Sequence, residues 1–523
     1  MLAYYRNEKF NTAKLRPYTS PDKRYICTFE GSLINEQELR KKLKKTGIYT
    51  LSTRPEEIIL ELYRFCGDSF TKVLRGKFVI IIFDKKLGQL IAARDRYGVR
   101  PLYYKLVVSG IEITSELTNF KPSEGCPLSY LNYDSLRHYF SYGYIPENDT
   151  YLKNVHHLPA GCLLKYDVHG LAITPYADML AILGSNDQLV GEQLLHDVVT
   201  EGIHTKISAD HLTDVGVFYT GKTSELVIAA IAKQACAEVK IFSAEFFRPK
   251  FVNKMLKELL TSLRISADDY WHAAIKAISV MDTPIADPTA PVDFLLSELA
   301  SKYVDVIISE DGASVLFGAA EQGIKRLKRK HDGLIFTEAQ KEQLLKIAGN
   351  PWSEKINPYK AQIFDLDNTA RRQTLALNMR LKGSTVLKRE RSATHFGLEV
   401  RYPFLDDKIL DVASLLTNDE KKSMLLFNQT FASQIAKFQS TKKIDPLKIL
   451  DPNKVPLAKW IRTDLYEYIK SILDHDIAEE FFNTEVIFEM LEQHRKGFRD
   501  LSHQIWAVAM FICWRSEIGN RKS

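Results

Sequence analysis

The residues best suited to chemistry lie in one stretch, 214–227, which reads DVGVFYTGKTSELV. A β-branched and aromatic run precedes a small polar turn at 220–224, and a helix-like segment begins at Glu225. A strand, a tight turn and a helix N-terminus together favour phosphate, because free backbone N–H groups and the helix dipole attract an anion there. The stretch therefore predicts a nucleotide site.

The same stretch has a second interpretation. Gly216 to Thr223 fits the P-loop pattern G-x-x-x-x-G-K-[ST] when it is read literally. In this alternative Lys222 binds phosphate, Thr223 binds Mg²⁺, and Asp311 is the acid that follows a second strand. The four intervening residues, 217–220, look like the strand itself, whereas a P-loop has a flexible turn there. Loss of nucleotide binding in Lys222→Ala would favour the P-loop.

The elements predicted around this stretch divide the chain into parts with different secondary-structure patterns. Residues 1–165 combine short strands and turns with helices at 36–45 and 55–66, which predicts an α+β domain with sheet layers. Residues 166–190 are predicted to be a linker. From 191 to 523, strands first alternate with helices, and this alternation predicts a parallel sheet with ligands at the carboxyl ends of its strands.

Individual strands are also predicted. In the first domain, 76–84 is a buried strand that enters a hairpin turn, and its partner strand begins at Leu90. The parallel sheet is expected to contain strands at 216–219, 239–243 and 304–309. After Pro358 the pattern is mostly helical.

Composition limits the class of protein. A chain of 523 residues with 45% hydrophobic and 26% charged residues is typical of a soluble globular protein with two or three domains. The net charge of +6 is small for this length and indicates neither a nucleic-acid nor a membrane partner. The basic run at 325–330 is read first as a solvated face and second as an anion or RNA contact.

The six cysteines have no C-x-x-C spacing, which favours free thiols in a reducing cytosol. The amino-terminal residues have no apolar core of the kind found in signal peptides, and the longest apolar runs are too short to span a bilayer. We therefore expect a cytoplasmic protein.

Several segments, in order along nearly the whole chain, resemble one family, the glutamine-dependent asparagine synthetases. Those segments are GKFVIIIFD at 76–84, ARDRYGVRPLYY at 93–104, YGYIP at 142–146, LPAG at 158–161, DTPIADPTA at 282–290 and FGLEVRYPFLD at 396–406. The resemblance implies an α/β chain in which a truncated or degenerate N-terminal-nucleophile α+β sandwich, a class II glutaminase, precedes a parallel-sheet ATP-pyrophosphatase domain with a helical C-terminal part. It also implies ATP and Mg²⁺ as cofactors, and a homodimer.

The resemblance assigns candidate site residues. The candidate catalytic residues are Asp311, Glu390 and Lys448. The candidate nucleotide-binding residues are Thr220, Gly221, Lys222, Thr223, Ser224, Ser243 and Gly312. No metal ligand is assigned.

The glutaminase residues of the family are altered in this chain. The family has a cysteine nucleophile directly after the initiator Met, whereas here Leu2 follows, and leucine cannot attack an amide. The family pattern F-N-G-E becomes F-E-G-S at 29–32, and the pattern S-D-T-E becomes T-R-P-E at 53–56. Roughly 45 residues of the usual amino-terminal sheet are expected to be missing, either through a misplaced start or through a true loss. Glutamine hydrolysis is not expected.

The synthetase residues are altered as well. The family loop S-G-G-L-D-S aligns with 220–224, which is one residue shorter, and its metal-binding Asp falls at Thr223. The family motif S-G-E-G-A-D-E aligns with 309–315, where Asp311 keeps a carboxylate but Ser and Val replace the following Asp-Glu pair. Glu390 stands at a family Asp, and the family's catalytic lysine is not placed uniquely in the region around Lys448.

Three functions remain open at this point. The first is a non-catalytic family member that binds a partner, a competent paralogue or another biosynthetic protein. The second is a working ATP-dependent amide ligase that uses ammonia or an amine, as the β-lactam synthetases and lasso-peptide cyclases do. The third is the P-loop nucleotide binder described above.

Overall fold

The structure is a computed structural model. The residues that it describes are 2–6, 9–13, 17–120, 126–146, 149–177, 191–208, 212–236, 238–246, 258–318, 334–347, 373, 376–417, 420, 424–437 and 455–520. Their contacts define two compact units. The first takes Met1–Asn132 and Glu147–Met179, and the second takes Tyr133–Pro146 and Leu180–Arg521.

Two antiparallel sheets build the first unit. The strands are β1 (Leu2–Arg6), β2 (Lys9–Ala13), β3 (Tyr18–Thr19), β4 (Tyr25–Leu33), β5 (Gly76–Asp84), β6 (Gln89–Arg94), β7 (Tyr103–Val107), β8 (Gly110–Thr114), β9 (His156–His157), β10 (Cys162–Asp167) and β11 (Gly170–Pro175). One sheet has the order β2-β1-β8-β7-β9, and the other has the order β11-β10-β6-β5-β4-β3. The helices of this unit are α1 (Glu36–Lys45), α2 (Pro55–Cys66) and α3 (Phe70–Val73).

Strand β5 explains how these layers stack. Successive side chains of a strand point to opposite faces, and Ile80 and Ile82 pack in one core cluster with Ile58 of α2. Val79 and Ile81 pack in a second cluster with residues of β8. Because both faces of β5 are covered, its sequence is a continuous apolar run. The unit is therefore an α+β sandwich with helices on one sheet.

The sequence predicts α2 to the residue. Pro55 occupies the first turn, where its missing N–H costs nothing, and acidic residues follow it, as the helix dipole favours. Gly67 ends the helix with φ +56°, a conformation that other residues adopt rarely.

A five-stranded parallel sheet lies at the centre of the second unit. Its strands are β12 (Asp214–Phe218), β13 (Glu238–Glu245), β14 (Leu260–Arg264), β15 (Val306–Ile308) and β16 (Glu399–Arg401). Their order is β14-β13-β12-β15-β16, and each adjacent pair is parallel. This confirms the parallel sheet that the alternation of strands and helices predicts.

Helices make up most of the rest of the second unit. They are α4 (Tyr133–Tyr142), α5 (Glu192–Ser208), α6 (Thr223–Ala235), α7 (Ala267–Val280), α8 (Ala290–Ala300), α9 (Ala313–Phe317), α10 (Glu338–Leu344), α11 (Leu387–His395), α12 (Asp407–Leu415), α13 (Leu425–Thr430), α14 (Ala432–Ala436), α15 (Leu457–Arg462), α16 (Tyr466–Leu473), α17 (Asp476–Phe481), α18 (Thr484–Arg495) and α19 (Ser502–Asn520). A π-helix over Ala376–Val386 leads directly into α11.

Three features differ from the sequence-based expectations. Strand β11 lies within the predicted linker and pairs with β10 along its whole length. The β1–β2 hairpin precedes the first strand that the sequence indicated, and β1 pairs with β8. Strand β16 lies in the part of the chain that was expected to be helical. Each of these strands is short and has little apolar alternation, so its pairing partners define it.

All six cysteines lie within the described residues and are thiols rather than disulfides; Cys27, Cys126 and Cys162 are buried and the others are partly buried. Among the described helices, none has the length and apolar character needed to cross a membrane. The basic run at 325–330 lies outside the described residues.

Candidate functional site: a loop closed by its own side chains

The loop between β12 and α6 wraps around a carboxylate of the chain itself. Glu225, on the first turn of α6, accepts hydrogen bonds from the Thr220 N–H at 2.7 Å and from the Lys222 N–H at 2.9 Å, both through Oε2. Its Oε1 accepts from the Thr220 hydroxyl at 2.6 Å. Gly221 allows the turn because its φ of +103° suits glycine. Two loop amides that could donate to a phosphate are thus already satisfied.

A second carboxylate binds the remaining polar groups of the loop. The Lys222 ammonium donates to Glu310, and the Ser224 hydroxyl donates to the other oxygen of the same carboxylate at 3.0 Å. The Thr223 hydroxyl donates to Oδ1 of Asn428 at 2.7 Å. The loop side chains therefore form contacts within the chain, on α13 and on the segment that follows β15.

Burial and neighbouring charges shift the pKa values of two loop residues, Glu225 and Lys222. Burial of Glu225, which is 3% exposed, raises its pKa to about 7, with Glu310 adding to the effect and Lys222 opposing it. Partial desolvation opposes the charge of Lys222, whose side chain is about half exposed, but the carboxylates of Glu310, Glu225 and Asp311 raise the pKa of this lysine well above its usual value. Lys222 is therefore a cation at any physiological pH.

Asp311 lies beside the loop and has a cation partner of its own. Its carboxylate accepts from the Ser309 hydroxyl at 2.8 Å and lies 2.7 Å from Nε of Arg389. Arg389 also contacts Asp293 at 3.5 Å and lies over the ring of Phe218, 5.4 Å from its centroid. Although burial opposes it, the charges of Asp293 and Asp311 raise the pKa of Arg389. Asp311 is thus held in an ion-pair network.

A neighbouring ion pair joins α11 to the segment 282–290. Lys388 donates to Asp287 at 2.8 Å and also contacts Thr289. Burial alone would raise the pKa of Asp287, but the Lys388 charge holds it far below its usual value. Arg391 pairs with Asp282 at the other end of the segment. These contacts fix the segment to α11.

The remaining candidates are placed as follows. The Ser243 hydroxyl donates to the carbonyl of Tyr219 at 2.9 Å, which joins β13 to the start of the loop. Gly312 has φ +104° and begins the turn into α9. Glu390 is buried in α11; burial and the charge of Glu390 together raise the pKa of Tyr402. Lys448 lies outside the described residues.

The structure thus brings the candidates Lys222 and Ser224 together with the segment that carries Asp311, whereas Glu390 forms a hydrogen bond with Tyr402. Gly216 lies inside β12, where an added Cβ would lie 2.5 Å from the Ile307 side chain. The glycine of the P-loop pattern is therefore a packing residue of the sheet, which corrects that interpretation.

Four residues of the site were missed from the sequence: Glu225, Glu310, Arg389 and Asn428. The sequence does contain a signal for Glu225, because a glutamate three residues after the N-cap of a helix, here Lys222, is typical of a capping box. The other three reach the site only through folding, since Glu310 is 88 residues from Lys222 in the chain.

The first unit has a matching set of internal contacts. Glu30, at the position where the family has Asn, accepts from the Ser115 hydroxyl at 2.8 Å and lies 3.8 Å from Arg100. Asp95 accepts from the backbone N–H groups of residues 97, 99 and 100. Arg94 donates to the carbonyls of residues 98, 100 and 158. The Arg94–Asp95 motif is therefore a turn anchor.

The class of protein follows from its architecture. An α+β sandwich of antiparallel sheets is followed in the chain by a parallel-sheet domain, which carries the loop at the carboxyl end of β12. Two family models agree, one for a glutamine amidotransferase domain over residues 9–177 and one for asparagine synthase over residues 224–516. The chain belongs to the asparagine synthase family, since the second match covers more than half of it.

Two relatives match over nearly the whole chain. Glutamine-hydrolyzing asparagine synthetase 1 of Bacillus subtilis (strain 168) is 25% identical over 562 residues, which cover 96% of this chain and 87% of the relative. A putative glutamine-hydrolyzing asparagine synthetase of Mycobacterium bovis is also 25% identical, over 567 residues that cover 96% and 85%. A solved glutamine phosphoribosylpyrophosphate amidotransferase from B. subtilis is 14% identical to this chain, with a match that covers 46% of this chain and 52% of the solved one at a TM-score of 0.22.

Proposed function

We propose that this chain is a non-catalytic member of the asparagine synthase family, retained as a scaffold that binds a partner. The observation that carries the proposal is the Glu225 carboxylate, which accepts hydrogen bonds from two backbone N–H groups of the loop, those of Thr220 and Lys222. A phosphate at this helix N-terminus would have to displace a buried carboxylate that already has its hydrogen bonds.

The metal position of the family supports the proposal. The family uses ATP with Mg²⁺, and a hard cation prefers carboxylate oxygens. Thr223, which aligns with the family Asp, donates its hydroxyl to Asn428, and Asp311 is paired with Arg389. Within the described ranges, no group of three or more His, Cys, Asp or Glu side chains is arranged to hold a metal. The residues present therefore do not fit Mg²⁺.

The glutamine position supports it as well. In the family pattern an Asn and a Glu stand where this chain has Glu30 and Ser32. Glu30 is engaged with Ser115 and Arg100. An α-amino-acid substrate would therefore meet a changed and internally paired set of groups.

The first test is isothermal titration of the purified chain with ATP, with and without Mg²⁺. The wild type, Lys222→Ala and the control Lys233→Ala, which removes an exposed lysine of the same helix, are titrated in parallel. We expect no heat of binding at millimolar nucleotide in any of them. Magnesium-dependent binding that is lost in Lys222→Ala and kept in Lys233→Ala would refute the proposal.

Pyrophosphate release tests the active-ligase alternative directly. The chain is incubated with MgATP, ammonium or glutamine, and each of the proteinogenic amino acids with a side-chain carboxylate. We expect no release above a sample without protein. Release that depends on one amino-acid acceptor would establish an amide ligase and overturn the non-catalytic assignment.

The partner proposed is a second copy of this chain, a competent paralogue or another biosynthetic protein. Light scattering after size exclusion separates the first case, because a dimer has twice the 59.8 kDa of one chain. Co-expression with a catalytically competent asparagine synthetase tests the second case, and a stoichiometric complex is the expected result. A chain that stays monomeric and forms no such complex would contradict a scaffold role of these two kinds.

A further inference from the structure

A small cavity lies between α7, α19 and the segment 282–290, and it has a volume of about 10 Å³. Its lining is mostly apolar and includes Ala274 of α7, Ile285 of the segment and Met510 of α19. A cavity of this volume is at the lower limit for holding one water molecule. An amino acid or a nucleotide is many times larger, so neither is a candidate ligand.

Two polar side chains line this cavity without a protein partner, Thr283 of the segment and Trp506 of α19. Among the described residues, neither the Thr283 hydroxyl nor the Trp506 indole N–H has a hydrogen-bond partner. Thr283 is 8% exposed and Trp506 is 1% exposed, so bulk solvent does not satisfy either group. Each group can donate, and an unpaired buried donor is costly. The cavity therefore combines room for one small molecule with polar groups that lack a partner.

Asp287 also lines the cavity, but its carboxylate is already satisfied. Its Oδ2 accepts from the Lys388 ammonium at 2.8 Å and from the Ser384 hydroxyl at 3.3 Å. Its Oδ1 accepts from the N–H and the hydroxyl of Thr289, at 2.9 and 2.8 Å. A carboxylate has about four acceptor positions, and these four donors fill them. The charge of Asp287 is thus compensated by Lys388, which favours a neutral ligand over an ion in the cavity.

We propose that one internal water molecule occupies this cavity, accepts a hydrogen bond from the Trp506 indole N–H and forms a second one with the Thr283 hydroxyl. The water joins α19 to the segment 282–290. A direct bond already joins α7 to the same segment, since the Tyr270 hydroxyl donates to the carbonyl of Pro288 at 2.7 Å. The inference goes beyond the proposed function and does not depend on whether the chain binds nucleotide.

A crystal structure of the full chain, at a resolution that shows ordered water, is the direct test. We expect density for one water within about 3.2 Å of both Thr283 Oγ1 and Trp506 Nε1. A cavity without such density, or a water bonded to only one of the two atoms, would overturn the inference.

Thr283→Val tests the same water in solution, because valine keeps the shape of threonine and removes the hydroxyl. With the water in place, the variant leaves it one partner short, and the equilibrium constant for unfolding in urea should rise about five- to tenfold. In a dry cavity, the same change removes an unpaired buried hydroxyl, and the constant should fall. The control is Thr205→Val at an exposed position of α5, which should stay within about twofold of the wild type. A constant for Thr283→Val no higher than that of the control would refute the water.

Trp506→Phe removes the other partner and makes a double-variant cycle possible. The two polar atoms form no direct hydrogen bond, so their effects should be independent unless one molecule bonds to both. We expect Thr283→Val to raise the unfolding constant less than about twofold in the Trp506→Phe background, measured by circular dichroism because a tryptophan is lost. An equal effect in both backgrounds would overturn the shared water. If Trp506→Phe does not fold, the crystal structure and Thr283→Val still decide the question.

Discussion

Glu225→Gln should change the pH dependence of stability in a defined direction. The Gln carbonyl can accept from the two N–H groups that Oε2 accepts now, and its amide can donate to the Thr220 hydroxyl. The substitution therefore keeps the contacts and removes only the charge. Glu225 is an acid whose folded pKa, about 7, lies above its ordinary 4.5, so its stabilising contribution is complete below pH 4.5 and is lost as pH rises through about 7.

The size of the effect follows from the same two values. The difference between 4.5 and about 7 corresponds to about 3 kcal/mol at most, since one pKa unit is worth about 1.4 kcal/mol. Relative to Glu225→Gln, the wild type should lose up to about 3 kcal/mol of unfolding free energy between pH 4.5 and pH 8. Above that range, the difference in unfolding free energy between the two proteins should no longer change with pH.

Urea unfolding followed by tryptophan fluorescence measures this loss. All five tryptophans fall within Leu180–Arg521, so the signal reports on the second unit. Glu192→Gln is the matched control, because it changes an exposed glutamate in the first turn of α5, and its effect should stay below about 0.5 kcal/mol. A wild-type stability that rises relative to Glu225→Gln over this pH range, or does not change, would refute the electrostatic account of the loop.

Two further predictions concern the second unit and use the same unfolding assay. Gly216→Ala should cost about 1–3 kcal/mol, because the new Cβ would lie 2.5 Å from Ile307 and 2.9 Å from Phe242; Gly191→Ala, with open space around it, is the control, and equal effects would contradict the packing argument. His494 accepts from the Leu501 N–H through Nδ1 at 3.1 Å, and burial lowers its pKa below 6.5. Its contribution is therefore complete above about pH 6.5 and is lost as pH falls through the lower folded value; an acid-side slope that persists unchanged in His494→Gln would exclude this histidine as its source.

Local sequence predicts the elements whose signals are local. Proline at the start and acidic residues in the first turn define α2, and a continuous apolar run is sufficient for β5 because both of its faces are buried. The hairpin β1–β2 gives no such signal, since LAYYR and KFNTA are held by their pairing.

The candidate site divides in the same way. The loop at 220–224 and the position of Asp311 follow from spacing and resemblance. The ion-pair or hydrogen-bond partner of each group does not follow from the sequence, because Arg389 and Asn428 lie on helices that are distant in the chain. Whether a carboxylate serves a substrate or another side chain depends on those distant partners, and sequence spacing does not contain them.

The ion pair between Lys222 and Glu310 also constrains how this chain could change over evolutionary time. The two residues lie 88 positions apart, so a single mutation alters only one of them. Losing Lys222 first would strand an acid that is 5% exposed, whereas losing Glu310 first would leave a lysine that is 47% exposed and can turn to solvent. We therefore expect lineages that lose this ion pair to replace Glu310 before Lys222. The order of the two substitutions, and not only their identity, then limits how the ion pair can be lost or restored.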